Sequence, residues 1–328
     1  MQKVSVIIAT HNRSAFVSRA IESARNASRE VEIVVVDDAS DDRTKEVCNA
    51  RTDIKYVRLE RQLGLGPARN VGLIASSSPY ISFLDDDDLR LPGSLDLQVD
   101  LLEAQPDAGM IYGKVLYGDD QGQTNGDGYP DECQQGDLFW DVMRWNFIPC
   151  PTVVFRRECV KRLGLLEEDA PGVEDWDLWV RIAEVYPVMA VDEPVAIWRR
   201  PSPHSGQFTS REEKLHRQAR RLHKDKWLKL PRAICASPAQ RRQAARDFAS
   251  HASQQLVWSA GARLKAGRFF ESARIALAGT RMYPVSLPKH ILNFFTLRSL
   301  TSTSRHALGS GQYPTQDRST LEGYRRAE

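Results

Sequence analysis

With 328 residues, 41% of them hydrophobic and 27% charged, the chain can bury a full core and has room for more than one domain. A net charge of +2 gives no reason to expect nucleic acid as a partner. Five cysteines, odd in number and without a CxxC pair, argue against a disulfide framework or a zinc site and fit a reducing cytosol. No run of about 20 apolar residues is present to span a bilayer. The first residues enter a strand pattern without a basic-then-apolar leader, so the expected location is cytoplasmic. Acids crowd residues 37–42, 85–88, 119–141 and 167–177, whereas Lys and Arg dominate from about 199 onward, which suggests two bodies.

Val4 to Ala9 is a β-branched run suited to a central parallel strand, ending in the polar turn Thr10-His11-Asn12-Arg13. Phe16, Ala20, Ile21 and Ala24 recur at helical spacing to about Ser28. A second strand, Ile33 to Val36, runs into Asp37-Asp38-Ala39-Ser40-Asp41-Asp42. Thr44 to Ala50 reads as helix, Ile54 to Leu59 as a third strand, and Gly64-Leu65-Gly66-Pro67 as a loop before a helix from about Ala68 to Ser76. Tyr80 to Leu84 is a fourth strand. This alternation predicts an α/β fold with a mostly parallel sheet flanked by helices.

Further on, Leu95 to Ala104 is predicted helical and Ile111 to Tyr117 extended, with a mobile surface loop over 118–136. Leu138 to Trp145 is a short helix, Pro151 to Phe155 a strand and Arg157 to Leu163 a helix. Glu174-Asp175-Trp176-Asp177 opens a helix to about Val185, since acids favour a first turn. Val188 to Val191 and Val195 to Trp198 are short strands. Residues 201–210 break the composition as a linker or lid. Helices are then expected over Arg211 to Lys229, Pro238 to Ala260, Arg268 to Arg281 and Lys289 to Leu300. The stretch from Ala262 to Pro284 has the look of one tetratricopeptide-like unit. Residues from about 303 read as a disordered tail.

The fourth strand delivers Asp85-Asp86-Asp87-Asp88. Four adjacent carboxylates oppose one another's ionisation unless cations intervene. Acids at the carboxyl end of a strand in an open α/β sheet stand where such sheets bind ligands. Mg²⁺ or Mn²⁺ commonly bridges carboxylates to substrate phosphates. A solvated turn or a helix start before Pro92 is the structural alternative.

The company the run keeps decides between them. Residues 1–200 resemble an inverting family 2 glycosyltransferase with the GT-A fold: VSVIIATHNR, VVVDDASDD, GLGPARNVGL, FLDDDDLRLP and GVEDWDLWVRIAE follow the family's motif order. The resemblance implies Thr10, Asn12 and Arg13 at the nucleotide end of a cleft, with Asp38 and Asp37 at the base or ribose and Arg69 near the diphosphate. It implies Asp85 and Asp87 as metal ligands for Mg²⁺ or Mn²⁺, with Asp86 as the variable position that shifted relatives use together with Asp87. Asp175 resembles the general base, and Glu174 is its neighbour. Trp176 and Trp179 read as core or as acceptor-stacking surfaces. Relatives carry a histidine after an aromatic-Arg pair. Here Trp198-Arg199 is followed by Arg200-Pro201, and the first histidine is His204, a displaced metal-ligand candidate; Arg199 remains a diphosphate neighbour.

The expected activity is transfer of a sugar from a nucleotide-diphosphate donor, UDP-linked in most relatives, to a glycan or lipid-linked acceptor in envelope glycan synthesis. The expected organisation is a GT-A domain over 1–200, the linker, an α-helical region over 211–302 and the tail. For Trp227, Leu228 and Leu230 beside Lys224, Lys226 and Lys229, packing of the segment on its own domain is the favoured reading, with peripheral membrane contact through the basic last third as the alternative. Two other classes stay open: a sugar nucleotidyltransferase, which typically wants a Gly-rich loop where Thr10 to Arg13 stand, and a non-catalytic interaction protein, which would be expected to lack some of the acids.

Overall fold

The computed structural model describes residues 2–199 and 212–292. Arg200, the linker with His204 and the expected tail therefore lie outside the described residues. The first half runs β1 (Val4–Thr10), α1 (Ser14–Ala27), β2 (Val31–Asp37), α2 (Thr44–Asn49), β3 (Lys55–Arg58), α3 (Leu65–Ala75) and β4 (Tyr80–Asp85). These strands are parallel in the order β3-β2-β1-β4. The chain works outward from β1 to one side and then crosses to the other. The carboxyl ends of β1 and β4 thus form a switch point, where open α/β sheets leave a crevice. Their register pairs Ala9 with Asp85, so Thr10 faces the start of the acid run.

Beyond β4 the sheet ceases to be mostly parallel. The elements are β5 (Leu89–Arg90), α4 (Ser94–Ala104), β6 (Met110–Gly118), β7 (Thr124–Tyr129), α5 (Phe139–Arg144), β8 (Val154–Arg156), α6 (Arg157–Leu163), α7 (Glu174–Val185) and β9 (Val188–Arg199). The order continues β4-β8-β6-β9-β5, antiparallel except for β6 with β9. The expectation of a mostly parallel sheet is corrected to a mixed one. The predicted loop over 118–136 contains β7, paired antiparallel with β6 through a tight turn at Asp119–Gln123. The two short strands predicted near residues 188–198 are one strand, β9. Its pairing with β6 shifts register near Pro194, and a bulge is where a strand tolerates proline.

Alternation along the strands builds a core on each face. Val6, Ile8, Val35 and Leu84 pack with Val17 and Ile21 of α1 and Leu95 and Leu102 of α4. Ile7, Val36 and Phe83 face Leu73 of α3, Phe139 of α5 and Leu178 and Trp179 of α7. Trp179 is fully buried among Phe83 and Phe155, which makes it core. Helix α3 lies so close to β1 that a Cβ on Gly72 would stand 2.3 Å from Ile7 Cγ2; only glycine lets the backbones approach this closely.

The last third comprises α8 (Glu212–Asp225), a 3-10 turn at Trp227–Lys229, α9 (Pro231–Cys235), α10 (Pro238–Lys265), α11 (Phe269–Met282) and a helical stretch over 286–292. Ser237 caps α10 by accepting the Gln240 N–H, with Pro238 in its first turn. Helices α10 and α11 form an antiparallel hairpin: the Ser272 hydroxyl donates to Ala260 O at 2.8 Å, and Gly279 packs near Leu256. For Trp227 the own-domain reading holds and the membrane alternative does not. Its ring is fully buried against Trp176 and Phe248, and its indole N–H donates to Asp177 Oδ1 at 2.9 Å. Lys226 Nζ reaches Asp177 and Glu167, each at 2.9 Å. This segment packs on α7, so Trp227 offers nothing to a membrane.

Candidate active site

Strand β4 ends in Asp85 and the chain turns at once, with the Asp88 N–H donating to Asp85 O at 3.1 Å. That turn brings Asp88 back beside Asp85. One carboxylate oxygen from each of Asp85, Asp87 and Asp88 lies within 4.8 Å of the others. A Mg²⁺ or Mn²⁺ ion bound at about 2.1 Å would hold such oxygens no more than about 4.2 Å apart, so small rotations close the set around one ion. The donors are hard oxygens, and the residues fit the metal. Asp88 is the member that sequence reasoning missed.

Asp86 does not join this set. It is 8% exposed, and its Oδ2 accepts the Thr10 hydroxyl at 2.7 Å. Burial and the Asp87 charge push its carboxyl up to about 7, against the pull of Arg13 and the Thr10 hydroxyl. Burial, with Asp87 and Asp85 behind it, also lifts Asp88 well above the ordinary carboxylate range. These two buried carboxyls resist ionisation unless positive charge is brought to them.

Positive charge comes from both flanks. Arg13, at the β1–α1 turn, donates to Asp87 Oδ2 at 2.7 Å, and Arg199, the last residue of β9, donates to the same oxygen at 2.6 Å. The pairing Leu89↔Ile197, carried two residues further along antiparallel strands, explains how Arg199 comes opposite Asp87. The Arg199 backbone N–H donates to Asp88 Oδ1 at 2.9 Å, and its guanidinium reaches Asp120 in the β6–β7 turn at 2.9 Å. Phe16, read from the sequence only as a helix-face residue, lies under both guanidiniums, 5.9 Å from Arg13 and 4.3 Å from Arg199.

The other wall of the crevice is tied to the run by Arg69. This buried side chain donates to Asp85 at 2.6 Å and to Glu174 at 3.0 Å, and packs over the Phe83 ring. Glu174, the first residue of α7, also accepts the Gly172 N–H. Burial raises its carboxyl to about 7 despite Arg69. Next to it, half-buried Asp175 accepts the Trp176 N–H at 2.6 Å. Burial raises Asp175 above the ordinary range, Arg69 pulls it back, and Asp85 lifts it again. The Cys150 thiol, given no role from sequence, stands against this group. Trp176 is a wall residue: its ring packs at a tilt against Trp227, with centroids 4.9 Å apart, and its indole N–H donates to Val142 O.

The remaining candidates are framework. Asp37 is fully buried and accepts from the Ser40 N–H and the Tyr56 hydroxyl, which leaves it no face toward a ligand. The expectation for Asp37 is corrected accordingly. Asp38 accepts from the backbone N–H groups of Leu63 and Gly64 at 2.7 and 2.8 Å, ordering the turn into α3. Asn12, with φ of 54°, accepts from the Asp41 N–H and binds the β1–α1 turn to the β2–α2 turn. Thr10, Arg13, Asp85 to Asp88, Arg199, Arg69, Glu174 and Asp175 thus form one connected cluster, with Asn12 and Asp38 bracing its rim. His204 lies outside the described residues. A separate hollow of about 840 Å³, lined by residues such as Lys3, Arg25, Asp96 and Asp100, opens at the amino end of β1, away from this chemistry.

This geometry coincides with a family match over residues 5–164 to the model described as glycosyl transferase family 2. These residues are a family 2 glycosyltransferase domain. Among relatives, the chain is 24% identical over 221 residues to the uncharacterized glycosyltransferase MJ1057 of Methanocaldococcus jannaschii, covering 65% of this chain and 76% of that protein. It is 28% identical over 185 residues to the Escherichia coli UDP-Glc:alpha-D-GlcNAc-diphosphoundecaprenol beta-1,3-glucosyltransferase WfaP, covering 56% of this chain and 70% of that protein. Against an uncharacterized glycosyltransferase of Rickettsia bellii it is 30% identical, over 55% of this chain and only 26% of that longer protein. In fold it is similar to S. aureus TarS 1-349 in complex with UDP-GlcNAc, with a TM-score of 0.62, 19% identity and 90% of each chain covered. It is likewise similar to the mannosyltransferase PcManGT of Pyrobaculum calidifontis in complex with GDP-Man and Mn2+, with a TM-score of 0.58, 19% identity, and 92% of this chain and 81% of that one covered. The family's GT-A architecture is therefore the fold of this chain.

Proposed function

We propose that this chain is an inverting, metal-assisted glycosyltransferase that moves a sugar from a UDP-linked donor to a hydroxyl of a lipid-linked or free glycan during envelope glycan synthesis. The observation that carries the reading is the arrangement around Arg69, whose guanidinium joins the metal-competent acid Asp85 to Glu174, the residue beside Asp175. In this reading Asp85, Asp87 and Asp88 would hold Mg²⁺ or Mn²⁺, which when bound would supply charge stabilisation to the departing diphosphate. Arg13 and Arg199 donate charge-assisted hydrogen bonds to the same phosphates. Asp175 accepts the acceptor hydroxyl's proton as that oxygen attacks the anomeric carbon from the side opposite the diphosphate. Its raised affinity for a proton suits a general base. One displacement inverts the carbon, and no protein nucleophile is needed.

The UDP donor is favoured by the names of WfaP and the TarS complex, and the GDP-Man complex of PcManGT makes GDP the comparison. The test is a calorimetric screen of UDP- and GDP-sugars with and without Mn²⁺. Mn²⁺-dependent binding of a UDP-sugar is expected, and absence of binding by every donor in every metal condition refutes the reading.

The proposed place of this work is the cytoplasmic membrane face. No helix of the described residues is long and apolar enough to cross a membrane, so the contact proposed is peripheral. Phe269 and Phe270, at the tip of the α10–α11 hairpin, are 64% and 93% exposed. Residues 255–292 carry six Lys or Arg against one acid, a charge that complements anionic lipid. Flotation with phosphatidylglycerol vesicles should lose the protein when both phenylalanines become serine; unchanged flotation removes this surface from the proposal.

A further inference from the structure

Asp87 is the metal-competent acid most heavily engaged by the protein itself. Its Oδ2 takes hydrogen bonds from Arg13 at 2.7 Å and Arg199 at 2.6 Å. Neither guanidinium depends on Asp87 alone. Arg199 is also paired with Asp120 at 2.9 Å and packs on Phe16, while Arg13 lies 3.7 Å from Asp86 and shares the same ring. Both arginines therefore keep a platform and a second counter-ion if their bond to Asp87 is broken.

Charge counting shows what would break it. Arg69 already stands on Asp85, and Arg13 and Arg199 on Asp87, so three guanidiniums are engaged with two of the metal-competent acids. A divalent cation added to this set meets two fixed positive charges on the carboxylate of one of its own ligands, and like charges at such separations repel strongly in a partly buried site. A diphosphate group removes that opposition. It carries enough negative charge to attract both guanidiniums, and its paired oxygens match the forked donors of arginine.

Building on the donor reading above, we infer that Arg13 and Arg199 compete with the divalent cation for Asp87, and that a nucleoside diphosphate releases Asp87 by drawing the two guanidiniums to itself. Metal and nucleotide then bind with positive coupling, and by linkage each tightens the other by the same factor. The arginines act as exchangeable counter-ions, which is a different role from simply lining the phosphate site.

Mn²⁺ titrations of the full chain, read as free Mn²⁺ by electron paramagnetic resonance, test this without any turnover. In the unaltered protein, saturating UDP or GDP should tighten Mn²⁺ by about ten-fold or more, within the usual range for coupled sites. Arg199→Gln should tighten Mn²⁺ alone by several-fold and reduce the nucleotide effect to about two-fold. Arg13→Gln, at a more exposed position, should change both quantities in the same direction and guards against a folding defect at Arg199. The inference is overturned if Mn²⁺ alone binds both variants no more tightly than the unaltered chain. It is equally overturned if a nucleotide binds and leaves Mn²⁺ affinity unchanged, a result that keeps the donor reading. Failure of both nucleotides to bind removes the donor reading and the release step, while the Mn²⁺-only arm still decides the competition at Asp87.

Discussion

Replacing Arg69 with methionine is the sharpest test of how the crevice walls are held. Arg69 is 3% exposed and Glu174 is 1% exposed, and their contact is 3.0 Å. Removing one partner of a buried pair costs about 3–5 kcal/mol, because the other charge is left uncompensated. The chain has one escape, which is to protonate Glu174. That carboxyl sits near 7 with Arg69 present, and loss of the guanidinium sends it higher. A carboxyl raised in the folded state binds its proton more tightly there than in the unfolded chain. Stability is therefore lost as pH climbs from the ordinary carboxylate range up to the folded value. In Arg69→Met this losing window extends above 7, at about 1.4 kcal/mol for each further pH unit. The destabilisation should accordingly be about 1–2 kcal/mol larger at pH 8.5 than at pH 6. Adding Glu174→Gln should recover about 2–3 kcal/mol at the higher pH, since the stranded charge is gone. Urea unfolding of the four proteins of this cycle at both pH values supplies the numbers. Additivity within about 0.5 kcal/mol, with no pH dependence, would refute the pairing as the source of rigidity.

Asp175→Asn should keep donor affinity within about two-fold and lower turnover by about 10²–10⁴, the usual share of a general base; an unaffected rate removes Asp175 from that role. Asp87→Ala should weaken Mn²⁺-dependent donor binding by about ten-fold or more, while metal-free binding tightens because Arg13 and Arg199 are no longer held by Asp87, as read by calorimetry. His223, buried and stacked on Phe248 at 4.1 Å, is pushed down to about 4 by burial. The unfolded chain therefore takes up this proton first, and stability is lost as pH falls from about 6.5 toward 4. By pH 5 this amounts to about 2 kcal/mol. Unfolding curves of His223→Phe should be flatter than those of the parent by that amount between pH 7 and 5, and parallel curves count against it.

The parallel half of the sheet was readable because its strands are buried on both faces and so appear as continuous β-branched runs such as Val4 to Ala9. The mixed half was not, since strand direction leaves no local mark. β5 is two residues long, and β7 is drawn from Gly- and Asn-containing sequence of poor strand propensity, held by pairing with β6. At the site, the acid run and the Glu174-Asp175 pair stood out as motifs. The exclusion of Asp86 from the metal-competent set and the inclusion of Asp88 depend on a turn that only tertiary structure reveals. Asp37 looked available because Tyr56, nineteen positions on, had no visible link to it. Trp227 left two readings open for a related reason. Among lysines it reads as an amphipathic surface, yet the 3-10 turn directs its ring inward to Asp177.

The seam between α7 and the helical third has a practical meaning for anyone recombining this chain. Asp177 satisfies its two oxygens with the Trp227 indole, Lys226 and Arg181. A chimera that grafts another protein's helices after residue 199 inherits a desolvated anion two positions from Asp175. Such swaps should tolerate exchange of the α10–α11 hairpin tip far better than loss of the Lys226-Trp227 pair, because the latter would disturb Asp175 from behind.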